Sequence, residues 1–554
     1  MLSQLSLPNL GFFLTLGSAF LLLRLIVYFA RKPLRYLRGP TPSSILAGYE
    51  YDLLRQVNAG DKEYKWYQEY GTAFRVKGAY GEEVLMTADP KALQYVLQTS
   101  GYRFRRPVEF RRRICRLFDK GVLWAEGDIH QRHRKVLNPA FSAQQLRQFL
   151  TMFQESVSHL TRKWKDEITQ EGSNEKTINI PIWLSKMTLD IIGKTSFNFD
   201  FGALDNTEGV PLRILFRSLF KDSVMPTKSA FLHKTLERYV PVIFRMFPSK
   251  ENIRHREFLD ELRRIAKDLY ARNEVISDDD KDGKKDILSV LARANHAEDP
   301  KRKLNDSEVL SQVATMVSAG QETISFSTTY LLYELSRHPE DQARVLNEIH
   351  ELRARIGQDT VPTSHDYDSM PYFNAVIKEA LRLHSIIAGV VREAVEDDVI
   401  PLEFPITTAS GDIINQIPVK KGQRIHTSIA ASNRLACVWG PDADEWNPSR
   451  FLKPDGGRLS QTNIGVTSNL TTFSGGNRGC IGWRFAFMEM QSIMFGLVES
   501  FQFTFPSVPS KKNPGEMEDE YELQRCSLNF MVPTVKSKTF VGPAMPLQVK
   551  LRTT

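Results

Sequence analysis

The stretch Phe473-Ser-Gly-Gly476-Asn-Arg478-Gly-Cys480-Ile-Gly482 constrains this chain more than any other. It sets one cysteine in a glycine-rich loop, with an aromatic residue before it and an arginine close by. A thiolate ligand to iron in a flat macrocycle accounts for each of these positions. Gly476 and Gly482 remove side chains where backbone must lie close to another surface. Arg478 can fork onto a carboxylate. Phe473 can screen the sulfur, since the groups around a ligand tune its metal. The run Trp483-Arg-Phe-Ala486-Phe-Met-Glu489-Met is helical in pattern and places Cys480 at or just before a helix N-terminus. Free N–H groups there favour the thiolate over the thiol. A lone cysteine is more often an inert small hydrophobe; the flanking positions in register lift this one above that reading. The chain has no Cys-x-x-Cys-His, so covalent c-type haem attachment is not supported.

Three further motifs precede the loop. Ala319-Gly320-Gln-Glu322-Thr323 lies in an apolar helical run from about Val313 to Leu332; Glu379-Ala-Leu-Arg382 follows, then Trp446-Asn-Pro448-Ser-Arg450-Phe451. Each is weak alone. In this order, with the cysteine loop last, they resemble the cytochrome P450 family from about residue 35 to the end. The resemblance implies a mainly α fold with small β-sheets (α+β), haem b as cofactor and Cys480 as its axial thiolate. A thiolate pushes electron density toward the iron and favours O–O cleavage. Phe473, Gly476, Arg478 and Gly482 become haem-contacting positions, with Arg478 directed at a propionate.

Glu379 and Arg382 stand three apart and share a helix face, so they can pair. The resemblance adds Arg450 as the third member of a buried ion network that holds the segment before Cys480. It also assigns Glu322 and Thr323 to catalysis, as an acid–alcohol pair that supplies protons. A positioned proton donor is worth roughly 10²–10⁴-fold in rate. Small residues at Ala319 and Gly320 would let the helix kink or approach a flat ligand.

Two departures from the family stand out. Ile324 replaces the hydroxyl residue usual after the threonine, leaving Ser325 one further on. Where a Trp-x-x-x-Arg is usual, this chain has His130-Gln-Arg-His-Arg134. His130 and Arg134 face one way and both can donate to carboxylates. Arg392 looks like a further propionate contact.

The motifs span a large part of 554 residues yet must meet at one site, so one large domain is expected. Four cysteines without a spacing pattern argue against a disulfide framework and fit a reducing compartment. Leu10 to Ala30 is apolar except for Arg24 and long enough to span a bilayer core. Arg31, Lys32, Arg35 and Arg38 follow, which keeps that side in the cytosol. A cleaved signal would carry its charge before the apolar run. The expected organisation is an anchor over 1–30 with a transmembrane helix at about 10–30, a basic, proline-containing hinge over 31–45, and a catalytic domain over 46–554. That topology is single-pass in the endoplasmic reticulum membrane with a lumenal N-terminus.

Phe74-Arg-Val76-Lys and Glu83-Val84-Leu-Met86 read as a hairpin, Ile414 to Val419 as a strand, and Leu547 to Leu551 as closing strand. Asp278 to Gly283 opens like a calcium loop, but its twelfth position is Ser289, so the clamp is missing. Asn469-Leu-Thr471 and Asn305-Asp-Ser307 fit a glycosylation pattern that a cytosolic domain would leave unused.

A net charge of +8 raises nucleic acid as a partner, but no binding motif accompanies it. A basic face over Arg103–Arg116 and the 130–135 helix suits an acidic electron donor better. By resemblance that donor is NADPH–cytochrome P450 reductase, with cytochrome b5 as a second. The expected activity is a monooxygenase that places one oxygen atom of O2 into a C–H bond of a lipophilic substrate. Substrate walls are expected at Phe118 to Leu123, Thr315 to Ala319 and Ile386 to Val391. A terpenoid or other fungal secondary metabolite is the first substrate class, a fatty acid the second. A peroxide isomerase or dehydratase of the same fold, or a haem sensor, are the other classes.

Overall fold

Apolar faces at helical spacing organise most of the chain into long helices, and the sheets are small and peripheral. The computed structural model describes residues 33–552 apart from 207–210, much of 213–247, 275–286, 511–516, 528–529, 537–541 and single positions at 45, 57, 171 and 300. The helices that build the site are α1 (Val108–Phe118), α2 (Gly127–Leu137), α3 (Ala143–Gln170), α4 (Ile180–Phe197), α5 (Asp306–Arg337), α6 (Pro371–Leu383) and α7 (Trp483–Ser500). The expectation of a mainly helical fold with small sheets is met.

Helix α5 is 32 residues long and buried over most of its length, as its apolar composition on all sides requires. Its start is fixed by a reciprocal cap. Asn305 Oδ1 accepts from Glu308 N at 2.9 Å, and Asn305 N donates to Glu308 Oε2 at 3.1 Å. The first candidate glycosylation asparagine is therefore a helix cap. Helix α5 packs along α4, and α7 packs along α3. Their shared core includes Phe153, Trp164, Leu184, Phe326 and Ile493, all fully buried.

The largest sheet holds β1 (Ala73–Lys77), β2 (Glu83–Thr87), β3 (Phe104–Arg105), β4 (Gly389–Ala394) and β5 (Arg424–Ser428), in the order β1-β2-β5-β4-β3. Only β2 and β5 run parallel. The expected hairpin is β1 with β2, in the register Phe74↔Met86 and Val76↔Val84. The other two expected strands are present as Ile413–Val419, paired with Asp398–Thr407, and Pro546–Leu551, paired with two partners.

The expected transmembrane run Leu10–Ala30 and the acidic loop at Asp278 lie outside the described residues. Among the described residues no helix is long and apolar enough to cross a membrane. The expected hinge packs onto the sheet from Leu34 onward. Leu34 and Leu37 are buried, and a Cβ at Gly39 would stand 1.8 Å from the carbonyl oxygen of Arg75.

Candidate active site

The cysteine loop is closed by its own backbone. Cys480 N donates to the Phe473 carbonyl at 2.8 Å, and Gly479 N to the Gly476 carbonyl at 3.0 Å. Gly476 has φ +62°, and a Cβ there would come within 2.4 Å of Leu97 O and 2.5 Å of Gln98 Cα. Within the protein, the π-helical turn Tyr95–Thr99 already demands glycine there. Gly482 is the residue before α7, and a Cβ on it would meet only Phe141, at an ordinary 3.5 Å. Nothing in the protein itself requires glycine at that position.

Cys480 is solvent-accessible although protein encloses it densely, which marks it as part of a cavity wall. Burial pushes its thiol above the ordinary value, offset in part by the Gly482 N–H and by Arg134. The N–H at the helix N-terminus favours the thiolate, as expected, but burial works against it. A coordinating cation reverses that balance, because metal binding deprotonates a thiol outright.

Beside the loop the chain gathers cations. Arg134 does not reach outward for a carboxylate alone: its Nη1 donates to the Gly479 carbonyl at 2.8 Å, bracing the loop. Arg478 pairs with Glu126 and its guanidinium lies over the Tyr102 ring, 5.3 Å from the centroid. Arg392 is buried, and its Nη1 donates to the carbonyl of its own neighbour Val391 at 3.1 Å. Burial, reinforced by Arg478, depresses Arg392 to about 10. Arg106, which the sequence did not single out, joins them: burial and then repulsion from Arg478 and Arg392 hold it well below its ordinary value. Its Nη1 donates to Leu123 O at 2.6 Å. Arg106, Arg392 and Arg478 thus meet Glu126 as the acid that offsets them.

His130 is 3% exposed, and its Nδ1 lies 2.7 Å from the Tyr102 hydroxyl. Burial, then Arg478, Arg106 and Arg134, push it down to about 2, so it is a neutral imidazole. It acts as a dipolar partner among the arginines and adds no charge. Buried cations in excess of their acids are costly unless an anion completes them. The donor set fits a group that carries carboxylates beside an iron-ligating sulfur. Haem b is such a group; Cys480 would hold its iron, and Arg106, Arg392, Arg478 and His130 would stand available to its propionates.

The acid–alcohol pair is not assembled as the sequence suggested. Consecutive helical residues diverge by about 100°. Thr323 Oγ1 bonds back to Ala319 O at 2.7 Å, on a strip where Ala319 is exposed. Glu322 is buried and turns to α4, accepting from Ser185 Oγ at 2.7 Å. Gly320 has a reason within the protein. Its missing Cβ would sit 2.7 Å from Ile192 Cδ1, so it lets α5 close on α4, and the helix runs unbroken. The expected substrate wall is also redrawn at Thr315, which is buried and bonds Ser311 O at 2.7 Å and Phe118 O at 3.2 Å. Ala319, Phe118, Leu123 and Ala388–Val391 retain accessible surface.

The ion network has the closest geometry of the site. Glu379 and Arg382 are fully buried and paired twice, at 2.7 and 2.8 Å. Arg450 Nε reaches the same carboxylate at 3.1 Å, and its Nη2 binds Asp442 at 3.0 Å. The expected basic face is largely engaged within the chain: Arg103 pairs with Asp398, Arg105 with Glu393, Arg116 with Glu237 and Arg132 with Glu308. Lys135 and Arg484 remain exposed.

Residues 55–525 match the family model for cytochrome P450. The chain is similar to cytochrome P450 monooxygenase 205 of Postia placenta, 31% identical over 95% of this chain and 94% of the relative. It is similar to cytochrome P450 monooxygenase claP of Ampulloclitocybe clavipes, 31% identical over 93% and 92%, and to cytochrome P450 monooxygenase 128 of Postia placenta, 32% identical over 96% and 95%. A sequence that matches over nearly its whole length, and folds a cysteine loop against a surplus of buried arginines, belongs to the cytochrome P450 family.

Proposed function

We propose that this chain is a haem-thiolate monooxygenase of lipophilic metabolites, with a terpenoid or other fungal secondary metabolite as substrate. The observation that carries the reading is the cationic excess beside Cys480, where Arg106, Arg392 and Arg478 face Glu126. Haem b, when bound, supplies the iron chemistry that activates dioxygen. Cys480 is the axial ligand in this reading. Arg134 steadies the ligand loop through the Gly479 carbonyl. Phe473 covers the sulfur side, and Glu379, Arg382 and Arg450 keep the preceding segment rigid. Thr323 and Glu322 serve proton delivery, which requires the hydroxyl to leave its bond to Ala319 O. The accessible apolar side chains of Phe118, Leu123, Ala319 and Val390 orient an apolar substrate by shape.

The remainder of the reading concerns setting. A membrane anchor over 1–30, a short basic connection over 31–45 and a catalytic body over 46–554 place the enzyme on the cytosolic face of the endoplasmic reticulum. Electrons come from NADPH through NADPH–cytochrome P450 reductase. The exposed Lys135 and Arg484 supply positive charge for such a donor.

Purified protein with reductase, NADPH and oxygen, offered a panel of terpenes and fatty acids, tests this by mass spectrometry. The expected result is an oxygenated terpene whose formation needs both NADPH and the reductase, and none from Cys480→Ala. Equal product without NADPH would replace the monooxygenase by a peroxide isomerase.

A further inference from the structure

We infer that Asn433 is a positioning residue that couples the buried Glu379–Arg382 pair to the cysteine loop and so sets how Cys480 is presented to iron. The inference rests on the haem-thiolate reading and adds a residue to it. Asn433 is 1% exposed and follows the short helix Ile429–Ser432. Its carbonyl accepts from Arg382 Nη1 at 2.8 Å, so its backbone is held by the arginine of the ion network.

Its side chain is fully engaged. Oδ1 accepts from Thr471 N at 3.2 Å and from Thr471 Oγ1 at 2.8 Å. Nδ2 donates to Ser385 Oγ at 2.8 Å and to Thr472 Oγ1 at 2.8 Å. A side-chain amide has two donor hydrogens and one oxygen with two lone pairs, and each has a partner here. Thr472 Oγ1 donates onward to Leu381 O at 2.8 Å.

Thr471 and Thr472 immediately precede Phe473, whose carbonyl accepts the Cys480 N–H at 2.8 Å. A continuous path of hydrogen bonds therefore runs from Glu379 through Arg382 and Asn433 to the leading end of the loop. Arg134 holds the trailing end through Gly479 O. Such polar supports orient a metal ligand, and their removal typically costs about 10–100-fold in metal affinity or activity. An apolar residue in place of Asn433 would also orphan the Thr471 N–H.

The test uses haem-loaded full-length protein and the variants Asn433→Leu, Thr472→Val and Ser385→Ala. Ser385 bonds the same amide and stands 3.2 Å from Thr472 Oγ1, but without it Thr472 still keeps its bonds to Asn433 Nδ2 and Leu381 O. Three readouts are taken: the thiolate-type absorption of the reduced carbon monoxide complex, the rate of haem transfer to apomyoglobin, and the melting temperature. Asn433→Leu and Thr472→Val should each lose haem roughly tenfold faster and shift part of the absorption to the thiol-type position. Their combination should be clearly less than additive, because they break one path. Ser385→Ala should keep the thiolate band.

If Asn433→Leu does not fold, Thr472→Val decides. A lowered melting temperature with an unchanged band and unchanged haem loss would overturn the inference, as would an equal band shift in Ser385→Ala. Absence of a thiolate band in the unmutated protein would instead sink the haem-thiolate reading itself, taking this inference with it.

Discussion

Two groups of buried arginines lie close to the cysteine loop, and they obey different rules. Around Glu379 every charge is answered: Arg382 and Arg450 share its carboxylate, Asp442 takes the far side of Arg450, and main-chain carbonyls take the remaining donors. Around Arg478 the balance is uneven, with Arg106 and Arg392 depressed by burial and mutual repulsion. The first group is complete within the chain. The second leaves cations over, and on the proposed reading an anionic part of the cofactor would complete it. Buried guanidinium groups alone therefore say little; the ratio of cations to acids separates scaffold from binding site.

Breaking the complete group should have the largest effect. Glu379→Ala leaves Arg382 without an acid and Arg450 with Asp442 alone, and losing one partner of a buried network costs about 3–5 kcal/mol. The expected outcome is a collapse of soluble, folded protein in denaturant titrations, whether or not haem is supplied. A variant of near-normal stability would erase the distinction between the two groups.

Arg392→Met should act in the opposite sense. Removing an excess buried cation leaves the stability of haem-free protein unchanged or raises it by about 1 kcal/mol, while haem is released roughly tenfold faster. Calorimetry of the haem-free form and transfer of haem to apomyoglobin measure the two halves. Equal destabilisation with and without haem would show Arg392 to be scaffold after all.

The smallest effect sharpens the rule by a third case. Glu489, on α7, is fully buried and neither carboxyl oxygen has a hydrogen-bond partner among the described residues. Burial raises it well above the ordinary carboxylate range, so it resolves its missing partner by holding a proton. With the folded value above the unfolded one, the folded state binds more protons, and stability falls as pH climbs past the unfolded value. Glu489→Gln should remove that slope and be more stable than the unmutated protein by about 1 kcal/mol near pH 8, with less gain near pH 5. Thermal melts across that range check it; parallel pH profiles would show that Glu489 does not titrate in the fold.

What could be read without coordinates was what short spacing encodes. The hairpin at Phe74 and Val84 follows from alternation around a glycine-bearing turn, and the Glu379–Arg382 pair from their separation of three. What could not be read were reasons that lie far away in the chain. Gly320 answers to Ile192, and Gly476 to Leu97 and Gln98. Neither motif spells out its neighbour. Arg106, Tyr102, Glu126 and Asn433 escaped notice because they sit in loops or at helix ends, where no periodicity signals a partner tens or hundreds of positions away. The direction of Glu322 away from Thr323 is a matter of helical angle, which adjacency in sequence conceals.

The segment Phe118–Leu123 rests on α5 with almost no clearance. A methyl group at Gly121 would fall 2.1 Å from Thr315 Oγ1, and Val122 N is tied to Gln312 Oε1 at 2.9 Å. Loop and helix surfaces joined this closely travel as one piece, so a bulky guest does not gain entry by peeling this stretch off alone. The doorway has to open where the wall is loosely mortared, and the loop itself behaves as a fixed lintel.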